Sequence, residues 1–157
     1  MTSRAMNDDG GGHPRVLVSN RLSGSQTVPL DGSALADLAG ATLAAEGHER
    51  VELSLSFVDE DEIAELHERY MQEPGPTDVL SFPLDDDDVD EQGVRLLGDV
   101  VISPAVAARN NPGDPGAELR LLVVHGVLHV LGYDHETDTD RAEMWSRQER
   151  YSGVTVP

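Results

Sequence analysis

The chain has 157 residues, 38% hydrophobic and 26% charged, with no cysteine. That suffices for one packed domain and excludes a wholly disordered chain, a disulfide framework and any thiolate chemistry. Eleven cationic residues, all Arg, face thirty acidic ones for a formal charge of −19; a body this negative repels nucleic acid at long range, so RNA binding requires a local basic patch and DNA is not an expected partner.

Residues 1–14 are polar, Gly-rich and aperiodic, which predicts a disordered tail ahead of a single domain over 15–157. They lack the apolar segment of a secretory signal. No apolar run anywhere approaches the roughly 18–20 residues of a bilayer span, so the expected compartment is the cytoplasm, with no membrane partner. Residues 16–19 read as a short strand. Ser33 is placed to cap a helix running to about Glu46, with Leu35, Leu38, Ala39 and Leu43 on one face and Gly47 as the stop. Val51, Leu53, Leu55 and Phe57 alternate with polar residues, the period of a half-buried strand. Asp59 and Glu62 form a capping-box pattern for a second helix to about Met71, broken by Glu73-Pro74-Gly75-Pro76. Val79, Leu80 and Phe82 make a strand ended by Pro83. An acidic run, Asp85 to Asp88 with Asp90 and Glu91, reads as a solvated loop. Residues 95–102 form the next strand, and Ser103-Pro104 opens a short helix.

Asp114-Pro115 starts the most informative element, a helix to about Leu131 that is apolar around most of its circumference. Such a helix lies in the middle of its domain. A last helix covers about 138–151. Strands and helices in this order predict an α+β fold: one small mixed sheet with helices packed on it and a central buried helix.

That central helix carries His125 and His129 at i, i+4, on one face and about 5–6 Å apart. Gly132 ends the apolar run and can adopt the left-handed conformation that reverses a chain. The turn would bring His135 back toward the pair. Three imidazoles with a fourth position left open for water make the catalytic rather than the structural zinc pattern. The spacing HxxxHxxGxxH also matches a group of zinc proteases, which carry Glu after the first His as general base. Here that position is Gly126, so peptide hydrolysis by that route is disfavoured. His13, His48 and His67 lack such partners and read as surface residues.

The string HGVLHVLGYDH (125–135), preceded by PTDVLSFP (76–83) and LGDVVIS (97–103), resembles the YbeY family of bacterial single-domain metalloproteins. The three motifs stand in the family's order and the likeness covers roughly residues 50–150. It implies an α+β fold and one zinc ion per chain on His125, His129 and His135. It also implies a single-strand-specific endoribonuclease acting in 3′-end maturation of small-subunit ribosomal RNA and in ribosome quality control, with small-subunit components as partners. Many members have Arg after the Tyr that precedes PTDVLSFP. Here Tyr70 is followed by Met71, and Arg69 on the other side of Tyr70 does not carry that role over.

Candidate proton carriers are Asp134 and Glu136, beside the third His, although Asp134 reads equally as a turn cap or a hydrogen-bond partner of a ligand imidazole. Asp99 reads as a strand-end structural carboxylate. Arg109, Arg120, Arg141, Arg147 and Arg150 are the source of any basic surface, unless they pair within the helix with Glu143 and Glu149. Trp145 and Tyr151 are candidates to stack bases, and Tyr133 to pack beside the metal. Two other functions stand beside the nuclease: a non-catalytic, zinc-stabilised ribosome assembly factor, and a zinc hydrolase of another substrate.

Overall fold

The computed structural model describes residues 13–23, 31–72, 77–84 and 89–154. Most of the expected N-terminal tail, the break at 73–76 and the acidic run at 85–88 lie outside them. Among the described residues nine elements follow one another: β1 (Arg15–Arg21), α1 (Gly32–Ala45), β2 (Val51–Val58), α2 (Glu60–Met71), β3 (Val79–Pro83), β4 (Arg95–Ile102), α3 (Pro104–Asn110), α4 (Pro115–Val130) and α5 (Asp138–Ser152). The four strands form one mixed sheet in the order β1-β2-β4-β3. β1, β2 and β4 are parallel, and β3 lies antiparallel at the edge. The α+β expectation is met. Among the described residues no helix is long and apolar enough to cross a membrane.

Side chains of a strand alternate between faces. Leu53, Leu55, Phe57, Val100 and Ile102 point to one face, where Leu35, Ala39 and Leu43 of α1 and Leu119, Leu122, Val123 and Val127 of α4 bury them. The other face carries a smaller cluster, Val58, Ile63, Leu80 and Val101, beneath α2. β2 therefore departs from its expected half-buried pattern. It is an interior strand covered on both faces at its end, so Ser56, Phe57 and Val58 are all buried.

Two expected caps are replaced by other partners. α1 starts at Gly32, because the Asp31 carboxylate accepts from the Ala34 N–H at 3.0 Å and Ser33 falls within the first turn. The Asp59/Glu62 capping box does not form. The Asp59 carboxylate instead accepts from the Ser23 N–H at 3.2 Å, and Glu62 pairs with Arg21 at 2.7 Å. Contacts distant in sequence win over the local pattern.

β4 carries a bulge. Register passes from Glu52↔Leu96 to Leu53↔Gly98, leaving Leu97 as the extra residue. Gly98 takes φ +134, and a Cβ there would collide with the Phe82 carbonyl. Only glycine fits.

Candidate metal centre

The helix α4 is capped at its start by the Asp114 carboxylate, which accepts from the Ala117 N–H at 3.0 Å. The sheet lies on one side of it. On the other, Val124 and Leu128 pack against Met144 of α5. Its end is a glycine cap: the Gly132 N–H reaches the His129 carbonyl and the Tyr133 N–H the Leu128 carbonyl, both at 3.0 Å. Gly132 sits at φ +108. This pairing of two backbone bonds around a left-handed residue reverses the chain, and it delivers His135 to the first two histidines as expected.

Ring centroids lie 5.0 Å apart for His125 and His129, 5.4 Å for His129 and His135, and 6.0 Å for His125 and His135. One nitrogen from each lies within 4.8 Å of the others. Burial lowers the pKa of His125, and its hydrogen bond to the Gln148 Oε1 only partly opposes it. Burial lowers His129 as well, with His125 and His135 adding repulsion. Both are therefore neutral near pH 7, the state in which imidazole ligates. Three imidazoles converging from rigid supports suit a borderline divalent ion, and these residues could hold one. His13, His48 and His67 take no part in the cluster.

Sequence reasoning missed one residue of this site. Gln148 is 3% exposed, and its Oε1 lies 2.7 Å from His125 Nδ1. The pairing makes Nδ1 the protonated nitrogen, which donates to Oε1 and leaves Nε2 free as a ligand atom. The signal was available: Met144, Gln148 and Ser152 form the buried stripe of α5 at i, i+4, i+8, and a polar residue on such a stripe needs a partner. Trp145 stands beside it. Its ring meets His125 and His135 edge-on at 6.0 and 5.6 Å, walling the cluster rather than waiting for a base.

Other candidates fall elsewhere. The Asp134 carboxylate accepts from the Glu136 N–H at 3.2 Å and holds the turn, as its structural reading had it. Glu136 is exposed. Asp99 is not at a strand end: it lies in mid-β4, on the face away from α4. Tyr133 does not pack beside the histidines through its hydroxyl. That hydroxyl donates to Glu46 Oε1 at 2.7 Å, in a cluster completed by Arg147 at 2.7 Å and the Tyr151 hydroxyl. Tyr151 is thus committed to the fold and not to base stacking. Glu46 unites α1, α5 and the turn after α4.

Among the described residues the five candidate arginines form no basic patch. Arg109 pairs with Glu60 at 2.5 Å, Arg141 with Asp138 at 2.9 Å, and Arg147 with both Glu46 and, at 3.3 Å, Glu143. Arg120 donates to the Ser152 carbonyl, and Arg150 lies over the Tyr151 ring at 5.9 Å. In so acidic a chain four of these five guanidinium groups find a carboxylate or carbonyl close by.

The sequence matches the model of the family described as Endoribonuclease YbeY over residues 25–153. The chain belongs to the YbeY family. Relatives called endoribonuclease YbeY include one from Streptomyces coelicolor, 43% identical over 82% of this chain and 83% of its own. Another, from Beutenbergia cavernae, is 42% identical over 85% and 94%. A third, from Acidothermus cellulolyticus, is 50% identical over 64% and 68%. A solution structure of a Thermotoga maritima protein superposes with a TM-score of 0.56 at 30% identity, covering 88% of this chain and 86% of that one. The YbeY likeness read from three short motifs thus extends over most of the chain.

Proposed function

We propose that this chain is a zinc-dependent, single-strand-specific endoribonuclease. It acts in the cytoplasm on the 3′ end of small-subunit ribosomal RNA, in its maturation and in ribosome quality control. The observation that carries the reading is the convergence of His125, His129 and His135 on one point, with His135 exposed so that the cluster opens to solvent. The name borne by its relatives supplies the substrate class.

One zinc per chain would be held by these three imidazoles, and when bound it supplies Lewis acidity toward a phosphoryl oxygen and toward water. The chain's own residues do the rest. Gln148 fixes the His125 tautomer. The Gly132 turn places His135. Trp145 keeps water from one side of the cluster. Gly126 offers no side chain, so the protease-type general base is missing and peptide hydrolysis is not supported.

A second reading, a zinc-stabilised assembly factor without catalysis, draws support from Met71. It is exposed at the end of α2 and brings no charge where many family members have Arg. Gel analysis of a 3′-extended small-subunit RNA fragment separates the two. The zinc-loaded protein should shorten it and the His129→Ala variant should not. An intact fragment with both, under conditions where the protein binds small subunits, favours the assembly factor.

A further inference from the structure

Two of the three segments that carry the family likeness also line the sheet face away from the histidines. Val100 packs beneath Gly126 of α4, so its neighbour Asp99 points to the opposite face of the sheet. The Gly98 bulge sets this register and places Asp99 directly across from Phe82 of β3. Around the pair lies a cavity of about 420 Å³ whose lining includes Arg21, Ser56, Tyr70, Phe82 and Asp99. That is the size of a small-ligand site. One wall is aromatic: Tyr70 and Phe82 meet edge to face at 5.4 Å, and Tyr70 is 57% exposed. The Asp99 carboxylate is exposed and has no hydrogen-bond or ion-pair partner among the described residues. Arg21 is already held by Glu62 at 2.7 Å.

We infer that this groove binds a guanine base of the RNA chain. The inference rests on the endoribonuclease reading for its choice of polymer. A free carboxylate with a neutralised arginine repels phosphate, so the backbone is not what the groove takes. A carboxylate accepts only, and the stacking wall wants a flat ring. Guanine alone among the four bases presents two adjacent N–H donors, at N1 and N2, to one carboxylate. Adenine and cytosine each set an acceptor beside their amino group, and uracil offers a single N–H. The groove also has a route to the metal site. β3 is the edge strand. Phe82 faces the groove, and Ser81, the residue before it, donates from its hydroxyl to the Gly126 carbonyl of α4 at 3.3 Å. A single strand passing over that edge touches both faces.

The test is a titration of zinc-loaded protein with guanosine, adenosine and cytidine, which carry no phosphate to compete for the metal. It is followed by NMR shifts of the Ser56, Phe82, Asp99 and Val101 amides. Guanosine should shift these and bind about tenfold or more tightly than the other two. Asp99→Asn should erase the preference, and Tyr70→Ala, a change at an exposed side chain, should weaken guanosine about threefold or more. Zinc content should be unchanged in both. Equal affinities, no saturable shift, shifts centred on Trp145 and His135, or an Asp99→Asn variant that keeps the preference would each overturn the inference. RNA cleavage by a protein that ignores guanosine sinks this inference alone. Guanosine binding by a protein that leaves RNA intact sinks the nuclease reading alone.

Discussion

A Cβ added to Gly126 would lie 2.5 Å from Cγ1 of Val100. The residue after the first histidine of the cluster thus faces the sheet and has room for no side chain. This is why the general base of the zinc proteases has no counterpart: a Glu at 126 would be driven into β4, not toward the histidines.

Gly126→Ala should therefore destabilise the protein by about 1–3 kcal/mol through overpacking. Val100→Ala, which removes the two methyl groups in the way, should recover part of that loss in the double variant. Urea unfolding of the two single variants and the double gives the coupling. Additive losses would show that α4 shifts off the sheet instead of clashing.

Gln148 is tested by its replacement with Leu, which keeps the size and removes the acceptor. Loss of the bond to His125 Nδ1 should lower zinc affinity about 10–100-fold, as for other partners of ligand histidines. Competition with a chromophoric chelator measures it. Gln148→Glu, which still accepts at Nδ1, should retain most of the affinity, and a Leu variant of wild-type affinity would deny Gln148 any part in the site.

Gly47 and Gly132 both end helices at positive φ, +88 and +108, with nothing within 4 Å of an added Cβ. Valine at either position should cost about 1–3 kcal/mol of backbone strain. The difference between Gly132→Val and Gly47→Val should therefore show in metal binding and not in stability. Thermal unfolding of the metal-free variants should show similar losses, while zinc binding should weaken only in Gly132→Val, because that turn places His135.

Glu46 makes the acid limb of stability. Burial pushes its carboxyl up, but hydrogen bonds from Tyr151, Tyr133 and Arg147 outweigh this, and its pKa falls below the ordinary 4.5. The same carboxylate, with burial as the larger cause, lifts the Tyr133 hydroxyl to about 12. A lowered carboxyl stabilises the fold fully above the unfolded value and loses that contribution as pH drops through the folded one. Glu46→Gln should cost about 1–3 kcal/mol at pH 7, and the gap to the wild type should close on acidification below about pH 4.5. Urea midpoints at pH 7 and pH 3.5 check this; a gap that stays constant would mean that the Glu46 carboxyl titrates alike in the folded and unfolded chains. Arg147→Glu would break the same cluster, so it reports on folding and not on an RNA-binding face.

The sequence by itself determined what rests on local spacing. His125 and His129 share a helix face because they are four apart, and Gly132 reverses the chain because glycine takes φ +108 without strain. The elements and the α+β class followed from periodicity, and the three motifs were enough to point to the family. Tertiary structure decided whatever depends on a partner far along the chain. Asp59 and Ser33 looked like caps, but Ser23 claims one and Asp31 displaces the other. The burial of Ser56 follows from the interior place of β2. Gln148 meets His125 across 23 residues, and Tyr133 meets Glu46 across 87. Asp99 owes its outward aim to a bulge that no periodicity announces. Each of these is a choice among several polar groups able to satisfy one another, and only the packing of the helices on the sheet settles which come within reach.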